Sequence, residues 1–293
     1  MVNINGTIEK NENPFVTQSK TSWCPGCGNF SILDSINQVL YEEGLKPHEV
    51  LMVSGIGQAA KLPHYIKAHG LNTLHGRAIP AALGAQAANS DLKVLITSGD
   101  GDTYGEGGNH FMHNIRRNLD VVHIVHDNQV YGLTKGQGSP TTALGQKTRL
   151  QFDGMRHEPL NPVALAISLG CSFVARSFSG DPEHLRMMIK AAMKHKGYAV
   201  IDVMQPCVSF NKVNTFKWYK ERAFYIPETH DPSDKVKAFE LAQTFGDEGI
   251  PMGILYVDEK PTYMARIAYI DRPLVTYERK PTDIDWLLDR YIE

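Results

Sequence analysis

Two groups of residues in this chain have types and spacings that suit chemistry. One is the Cys-x-x-Cys of TSWCPGCGNF (21–30), Cys24 and Cys27, in a chain whose other cysteines are Cys171 and Cys207. A pair at that spacing holds a metal, an iron–sulfur cluster or a disulfide. Four cysteines in 293 residues do not make a disulfide scaffold, so a reducing cytoplasm is the expected home, where the pair reads as metal or redox chemistry. The other group is SGDGDTYGEGG (98–108) with HDNQVYG (126–132). Asp100 offers a carboxylate and Asn128 an amide oxygen, hard donors suited to Mg²⁺ bridging a phosphate. Gly99 and Gly101 let the backbone come close to a diphosphate and free its N–H groups. A helix starting near Gly105 would add its positive end. There is no Gly-x-Gly-x-x-Gly after a first strand and no Walker A lysine, so other nucleotide motifs do not account for this loop.

The elements around these residues alternate. Apolar, β-rich runs at EVLMVSGIG, KVLITSGDGD, VVHIVHDNQVYGL, SFVARSF and YAVIDVMQPC are separated by helical patterns at NFSILDSINQVLYEEGL, AIPAALGAQAANSD, GEGGNHFMHNIRRNLD, NPVALAISLG and DPEHLRMMIKAAMKHKG. Asp181 is placed to cap the last of these, and its late lysines suit the negative end. Nearly continuous apolar strands alternating with helices predict an α/β fold with a parallel sheet covered on both faces. Asp100 and Asn128 lie 28 residues apart, room for one crossover helix, so a βαβ unit brings both to the same edge of the sheet, where ligands collect. Residues 1–20 read as a polar arm, 21–225 as the main domain, and 226–293, richer in prolines and charges, as a C-terminal extension packed on it.

Composition excludes several classes. Hydrophobic residues make up 42% and charged residues 21%, with a formal charge of −2. That is ordinary for a globular protein and favours neither nucleic acid nor an anionic membrane. No apolar run reaches 18 residues, so no spanning helix is expected. The polar start MVNINGTIEKNENPF has no apolar core of a signal peptide.

GDGD followed after 24 residues by DNQVYGLTKGQ resembles the thiamine-diphosphate signature, with Asp100, Asn128 and the Val130 carbonyl matching its Mg²⁺ ligands. Joined to WCPGCGNF, VSGIGQAAKLP, TLHGRA and IDVMQPC in that order, the chain resembles the β subunits of 2-oxoacid:ferredoxin oxidoreductases over residues 20–225. The resemblance implies the diphosphate-binding half of a thiamine enzyme, with the pyrimidine-binding half, its activating glutamate and most coenzyme A contacts on a larger α subunit. It implies an αβ or (αβ)₂ assembly, inactive as a single chain. The reaction would be oxidative decarboxylation of a 2-oxoacid, pyruvate or with a lean toward 2-oxoglutarate, to acyl-CoA, with electrons passing singly to ferredoxin, or the reverse.

The resemblance also assigns residues. Beside the Mg²⁺ ligands, Ile56, Gly57, His75, Gly99, Gly101, Asp102, Tyr131, Gly132, Leu133 and Thr134 fall in the cofactor-binding set. Lys61 and His75 are the candidate substrate contacts; a cation beyond the SGIG strand end suits a carboxylate. Arg77 reads equally well as a structural ion pair. Cys24, Cys27 and Cys207 match three of four cluster cysteines, implying [4Fe–4S], while the family's third position, in the SGIG loop, is Gln58. A [3Fe–4S] cluster and loss of the cluster are the alternatives. Cys171 matches no cluster position, and His113, His123 and His126 lack ligand spacing. Two other readings stay open: a cluster-free thiamine decarboxylase or synthase subunit, and a zinc-stabilised α/β protein. A thioredoxin-like pair would need a strand directly before it, and NENPFVTQSKTSW makes a poor one.

Overall fold

The computed structural model describes residues 13–267, 270–278 and 284–292. Most of the N-terminal arm, residues 1–12, lies outside them. The helices are α1 (Asn29–Glu42), α2 (Ala78–Ala88), α3 (Gly108–Arg117), α4 (Pro162–Ser168), α5 (Pro182–Lys194), α6 (Phe216–Arg222) and α7 (Lys235–Gln243). The strands are β1 (Val50–Ser54), β2 (His69–Asn72), β3 (Lys93–Gly99), β4 (Val121–Asp127), β5 (Phe173–Phe178), β6 (Tyr198–Met204), β7 (Ala223–Tyr225) and β8 (Ile250–Val257). They form one sheet in the order β2-β1-β3-β4-β6-β5-β8-β7. The first six run parallel, as the continuous apolar strands predict, and β8 joins β5 antiparallel.

Side chains alternate between two cores. On β3, Leu95 faces the layer of α1 and α5, while Val94 and Ile96 face the layer of α2, α3, α4 and α7. Asp181 caps α5 through the His184 N–H at 3.1 Å, and Asn161 caps α4 through the Ala164 N–H at 3.1 Å. Strand order reverses at β1, whose neighbours β2 and β3 both follow it in sequence. In open parallel sheets the crevice at the carboxyl ends beside such a reversal is where ligands bind. The ends of β1, β3 and β4 carry Gly55–Gln58, Asp100 and Asn128 to that edge.

Residues after 225 do more than pack on the outside. β8 becomes a strand of the main sheet, and α7 supplies Ala238 and Ala242 to the core shared with α4. The helix expected near Gly105 begins earlier: a π-helical turn, Gly101–Glu106, follows β3 directly and α3 starts at Gly108. One turn of that kind inside a helix start often marks a functional site.

Candidate functional site

Asp100 sits at the N-terminal end of the π turn with only 2% of its surface exposed. Its Oδ2 accepts hydrogen bonds from Ser139 Oγ at 2.5 Å and Thr141 Oγ1 at 2.7 Å. Burial pushes its carboxyl up from the usual carboxylate range, with those hydroxyls opposing. A carboxylate buried at a strand end is one that a divalent ion would stabilise in its charged form. Thr141 Oγ1 also lies 2.8 Å from Asp127 Oδ1. Asp127 too is raised well above its ordinary value by burial, then by Asp202 and Asp100.

Asn128 follows β4 and shapes the next loop. Its Oδ1 accepts from the Val130 N–H at 3.1 Å, which together with Gln129 at φ +56° makes a tight turn. Tyr131 comes out of that turn, its N–H donating to the Gln137 carbonyl at 2.9 Å. The Tyr131 ring fills the space that a side chain on Gly101 would need: a Cβ there would stand 2.2 Å from the ring. So the glycine at 101 admits Tyr131, whereas a Cβ at Gly99 would meet nothing closer than the His126 carbonyl at 4.0 Å. Leu133 and Ile56 are exposed, and Gly132 and Thr134 lie on the same loop.

Asp102 is the clamp of the site. Its Oδ1 accepts from the Gly76 N–H at 2.7 Å and the Ile56 N–H at 3.1 Å, and His75 Nδ1 stands 3.3 Å away. Gly55 packs so tightly on it that a Cβ would come within 2.1 Å of Asp102 Oδ2. Gly57, at φ +130° with nothing within 4 Å of a notional Cβ, is the open member of the β1 loop. His75 is half-buried and tilts against Tyr131 with ring centroids 6.2 Å apart. Arg77 spans to the Glu106 carbonyl at 2.9 Å, a structural bond between the two loops. Lys61 reaches Ser22 Oγ at 3.1 Å, which places it beside the cysteine loop rather than among the Asp100 contacts.

The cysteines converge. Cys24, Cys27 and Cys207 line one cavity of about 30 Å³ together with Gln58 and Asn128. Cys27 N–H donates to the Cys24 carbonyl at 3.0 Å. Burial first, then the neighbouring cysteines, push the Cys27 thiol up to about 11. Ser209 Oγ donates to Cys24 Sγ at 3.0 Å, and Gln205 Nε2 to Cys27 Sγ at 3.5 Å. Among the described residues no three His, Cys, Asp or Glu side chains stand close enough to grasp a single ion. Cysteine thiolates sharing one cavity are the donor type by which iron–sulfur clusters are held. Cys171 is fully buried between β5 and β6, bonded to the Tyr198 carbonyl at 3.2 Å and pushed up to about 12 by burial, far from that chemistry. His123 and His126 are buried on β4 as well: His123 bonds Ser98 and Tyr198, and His126 bonds Asn29.

Sequence reasoning missed Ser139, Thr141 and Gln205. The hydroxyls lie in SPTT, a polar run with no spacing that ties it to Asp100. Gln205 stands two residues before Cys207, where a polar side chain at a strand end was the only signal. It joins the two halves of the site: Asn128 Nδ2 donates to Gln205 Oε1 at 3.3 Å, and Gln205 donates on to Cys27.

Residues 51–203 match the family described as thiamine pyrophosphate enzyme, C-terminal TPP binding domain. Residues 207–272 match the family described as the C terminal of the pyruvate ferredoxin oxidoreductase beta subunit. The chain is 45% identical over 292 residues to a 2-oxoacid:ferredoxin oxidoreductase subunit beta from Saccharolobus solfataricus, covering 91% of this chain and 95% of that one. It is 34% identical over 221 residues to a 2-oxoglutarate synthase subunit KorB from Methanocaldococcus jannaschii, covering 73% of this chain and 82% of that one. Among solved structures it resembles a 2-oxoglutarate:ferredoxin oxidoreductase from Magnetococcus marinus with 2-oxoglutarate, coenzyme A and succinyl-CoA bound, at a TM-score of 0.88 and 35% identity over 96% of each chain.

Proposed function

The chain belongs to the β subunits of the 2-oxoacid:ferredoxin oxidoreductases, and from that premise we propose how its residues serve the reaction. Thiamine diphosphate, when bound, supplies the carbon nucleophile and the electron sink for loss of CO₂ from a 2-oxoacid. Asp100, Asn128 and the Val130 carbonyl would hold Mg²⁺, and Gly99 leaves the backbone open to a diphosphate. Ser139 and Thr141 fix the Asp100 carboxylate, so the ion meets a ligand that is already oriented. Asp102 ties the Ile56 and His75 loops to the π turn, keeping Ile56, Tyr131 and Leu133 as the apolar wall of the cofactor crevice. Lys61 and His75 are the side chains offered to substrate. Cys24, Cys27 and Cys207 would hold an iron–sulfur cluster, which would supply a one-electron acceptor beside the cofactor crevice.

The observation that supports this reading is the chain of contacts Asn128–Gln205–Cys27, which links the thiol cavity to Asn128 at the carboxyl end of β4. An electron exit is useful only there. The names of the M. jannaschii and Magnetococcus relatives favour 2-oxoglutarate as substrate over pyruvate. Coenzyme A as acyl acceptor, ferredoxin as electron acceptor, a larger α subunit bearing the pyrimidine site, an αβ or (αβ)₂ assembly and a cytoplasmic setting complete the proposal. No helix among the described residues is long and apolar enough to cross a membrane.

A second reading, a thiamine subunit with no cluster, is favoured by one observation: Gln58 stands on the thiol cavity where a fourth thiolate is wanted. Copurification with the α subunit, followed by assay of CoA-dependent viologen or ferredoxin reduction with 2-oxoglutarate and pyruvate, separates the two. Reduction with 2-oxoglutarate is expected. Decarboxylation that reduces no one-electron acceptor would establish the cluster-free reading.

A further inference from the structure

A cubane iron–sulfur cluster needs a ligand at each of its four irons, and the thiol cavity offers three sulfurs, from Cys24, Cys27 and Cys207. The remaining cysteine, Cys171, is buried elsewhere. Among the described residues, the polar side chains that line the same cavity are Asn29, Gln58, Asn128, Gln205 and Ser209. Four of these are already committed. Asn29 Oδ1 is bonded to His126 at 2.7 Å, and Asn128 Oδ1, which accepts from the Val130 N–H, is the atom assigned above to Mg²⁺. Gln205 Oε1 accepts from Asn128 Nδ2, and Ser209 Oγ donates to Cys24 Sγ. The unpartnered Nδ2 of Asn29 is an amide nitrogen, a donor without a free lone pair.

Gln58 Oε1 is the exception: buried, and without a hydrogen-bond partner. The Gln58 backbone is tied to the cysteine loop, its main-chain carbonyl accepting from Trp23 Nε1 at 2.8 Å. Trp23 is itself wedged edge-on between Phe30 and Tyr65 one residue before Cys24. A buried acceptor left unpaired costs its desolvation, about 1–3 kcal/mol in typical cases, and a metal at the open corner would relieve that cost.

Resting on the cluster reading above, we infer that the cluster is bound by three thiolates and that Gln58 Oε1 is the protein atom facing the fourth iron. A neutral amide oxygen holds iron far more weakly than a thiolate. That iron is therefore the removable one. A one-electron oxidant takes [4Fe–4S]²⁺ to the 3+ level, which divides into Fe²⁺ and [3Fe–4S]⁺, with all three thiolates retained. Ferrous ion with one electron from a reductant reverses it. Replacing a thiolate by a neutral oxygen also removes one negative charge from the ligand set, which raises the reduction potential relative to four-cysteine relatives.

The test uses the two-subunit holoenzyme purified without oxygen, with iron and sulfide analysis, and EPR before and after stoichiometric ferricyanide. The expected result is release of one iron per cluster and the sharp, nearly isotropic signal of an oxidised three-iron cluster, both reversed by Fe²⁺ and dithionite. Gln58→Cys should suppress iron loss on the order of 10-fold or more and lower the potential in a redox titration; Gln58→Ala should leave the iron at least as labile as in the wild type. A wild type whose four-iron cluster keeps all its iron under ferricyanide would overturn the inference while leaving the cluster in place. A holoenzyme with no iron, or with zinc, would overturn the cluster reading and this inference together. The wild-type measurement decides even if a variant fails to fold.

Discussion

A hydroxyl has one proton to give, and Thr141 Oγ1 lies within hydrogen-bond reach of two carboxylates, at 2.7 Å from Asp100 and 2.8 Å from Asp127. It therefore cannot serve two ionised carboxylates at once, and the pair depends on it for its arrangement. Thr141→Val keeps the shape and removes the bridge. It should lower stability by about 1–3 kcal/mol, the usual penalty for leaving a buried polar group unpaired, measured by denaturant unfolding. Asp100→Asn keeps the size of the side chain and removes the charge. Binding of thiamine diphosphate with Mg²⁺, followed by calorimetry on the assembled enzyme, should weaken by about 10–100-fold or more, as loss of a metal-ligating charge does. Unchanged affinity in a folded Asp100→Asn enzyme would refute the Mg²⁺ assignment.

At the scale of elements, the site is three strand ends bound together by a π turn. Asp102 on that turn grips the loop after β1 at Ile56 and the start of α2 at Gly76. Such a grip needs backbone at contact distance, and Gly55 provides it. Gly55→Ala would drive a methyl to 2.1 Å from Asp102 Oδ2, an overpacking change of the kind that costs about 1–3 kcal/mol. Gly84 is the control. It lies within α2 with nothing within 4 Å of a notional Cβ, so Gly84→Ala should raise stability by about 0.4–1 kcal/mol through the unfolded chain and helix propensity. Thermal melts of the two variants should move in opposite directions.

Across the whole molecule, β4 runs through the centre with an imidazole buried in each layer. Burial pushes His123 and His126 down to about 3, from an ordinary value of 6.5. A histidine whose folded value is depressed contributes stability that is complete above about 6.5 and is lost as the pH falls toward 3. Each loses about 3 kcal/mol by about pH 4. Urea unfolding across that window should show a steep acid limb, and His123→Gln should flatten it. At the same scale, the described residues form one αβα layer and no second one, and the proposed function puts the pyrimidine site on a larger subunit. The isolated chain should therefore show no 2-oxoacid decarboxylation until the α subunit is added.

Period and composition determined the parallel sheet, because strands buried on both faces must be apolar throughout and the intervening helices amphipathic. The cap at Asp181 was equally local. The spacing of Asp100 and Asn128 also sufficed to place them at one edge, since a single crossover helix leaves a βαβ unit no other arrangement. Local pattern ended there. That β8 would enter the sheet beside β5 depended on long-range pairing, which a proline-containing run, IPMGILYV, does not announce. That Ser139, Thr141 and Gln205 would converge on Asp100, Asn128 and Cys27 depended on how loops of unlike length close over one sheet edge. Hydrogen bonds between residues 39, 41, 77 and 178 positions apart leave no periodic trace in a chain, because each is fixed by the packing of the whole and not by any segment alone.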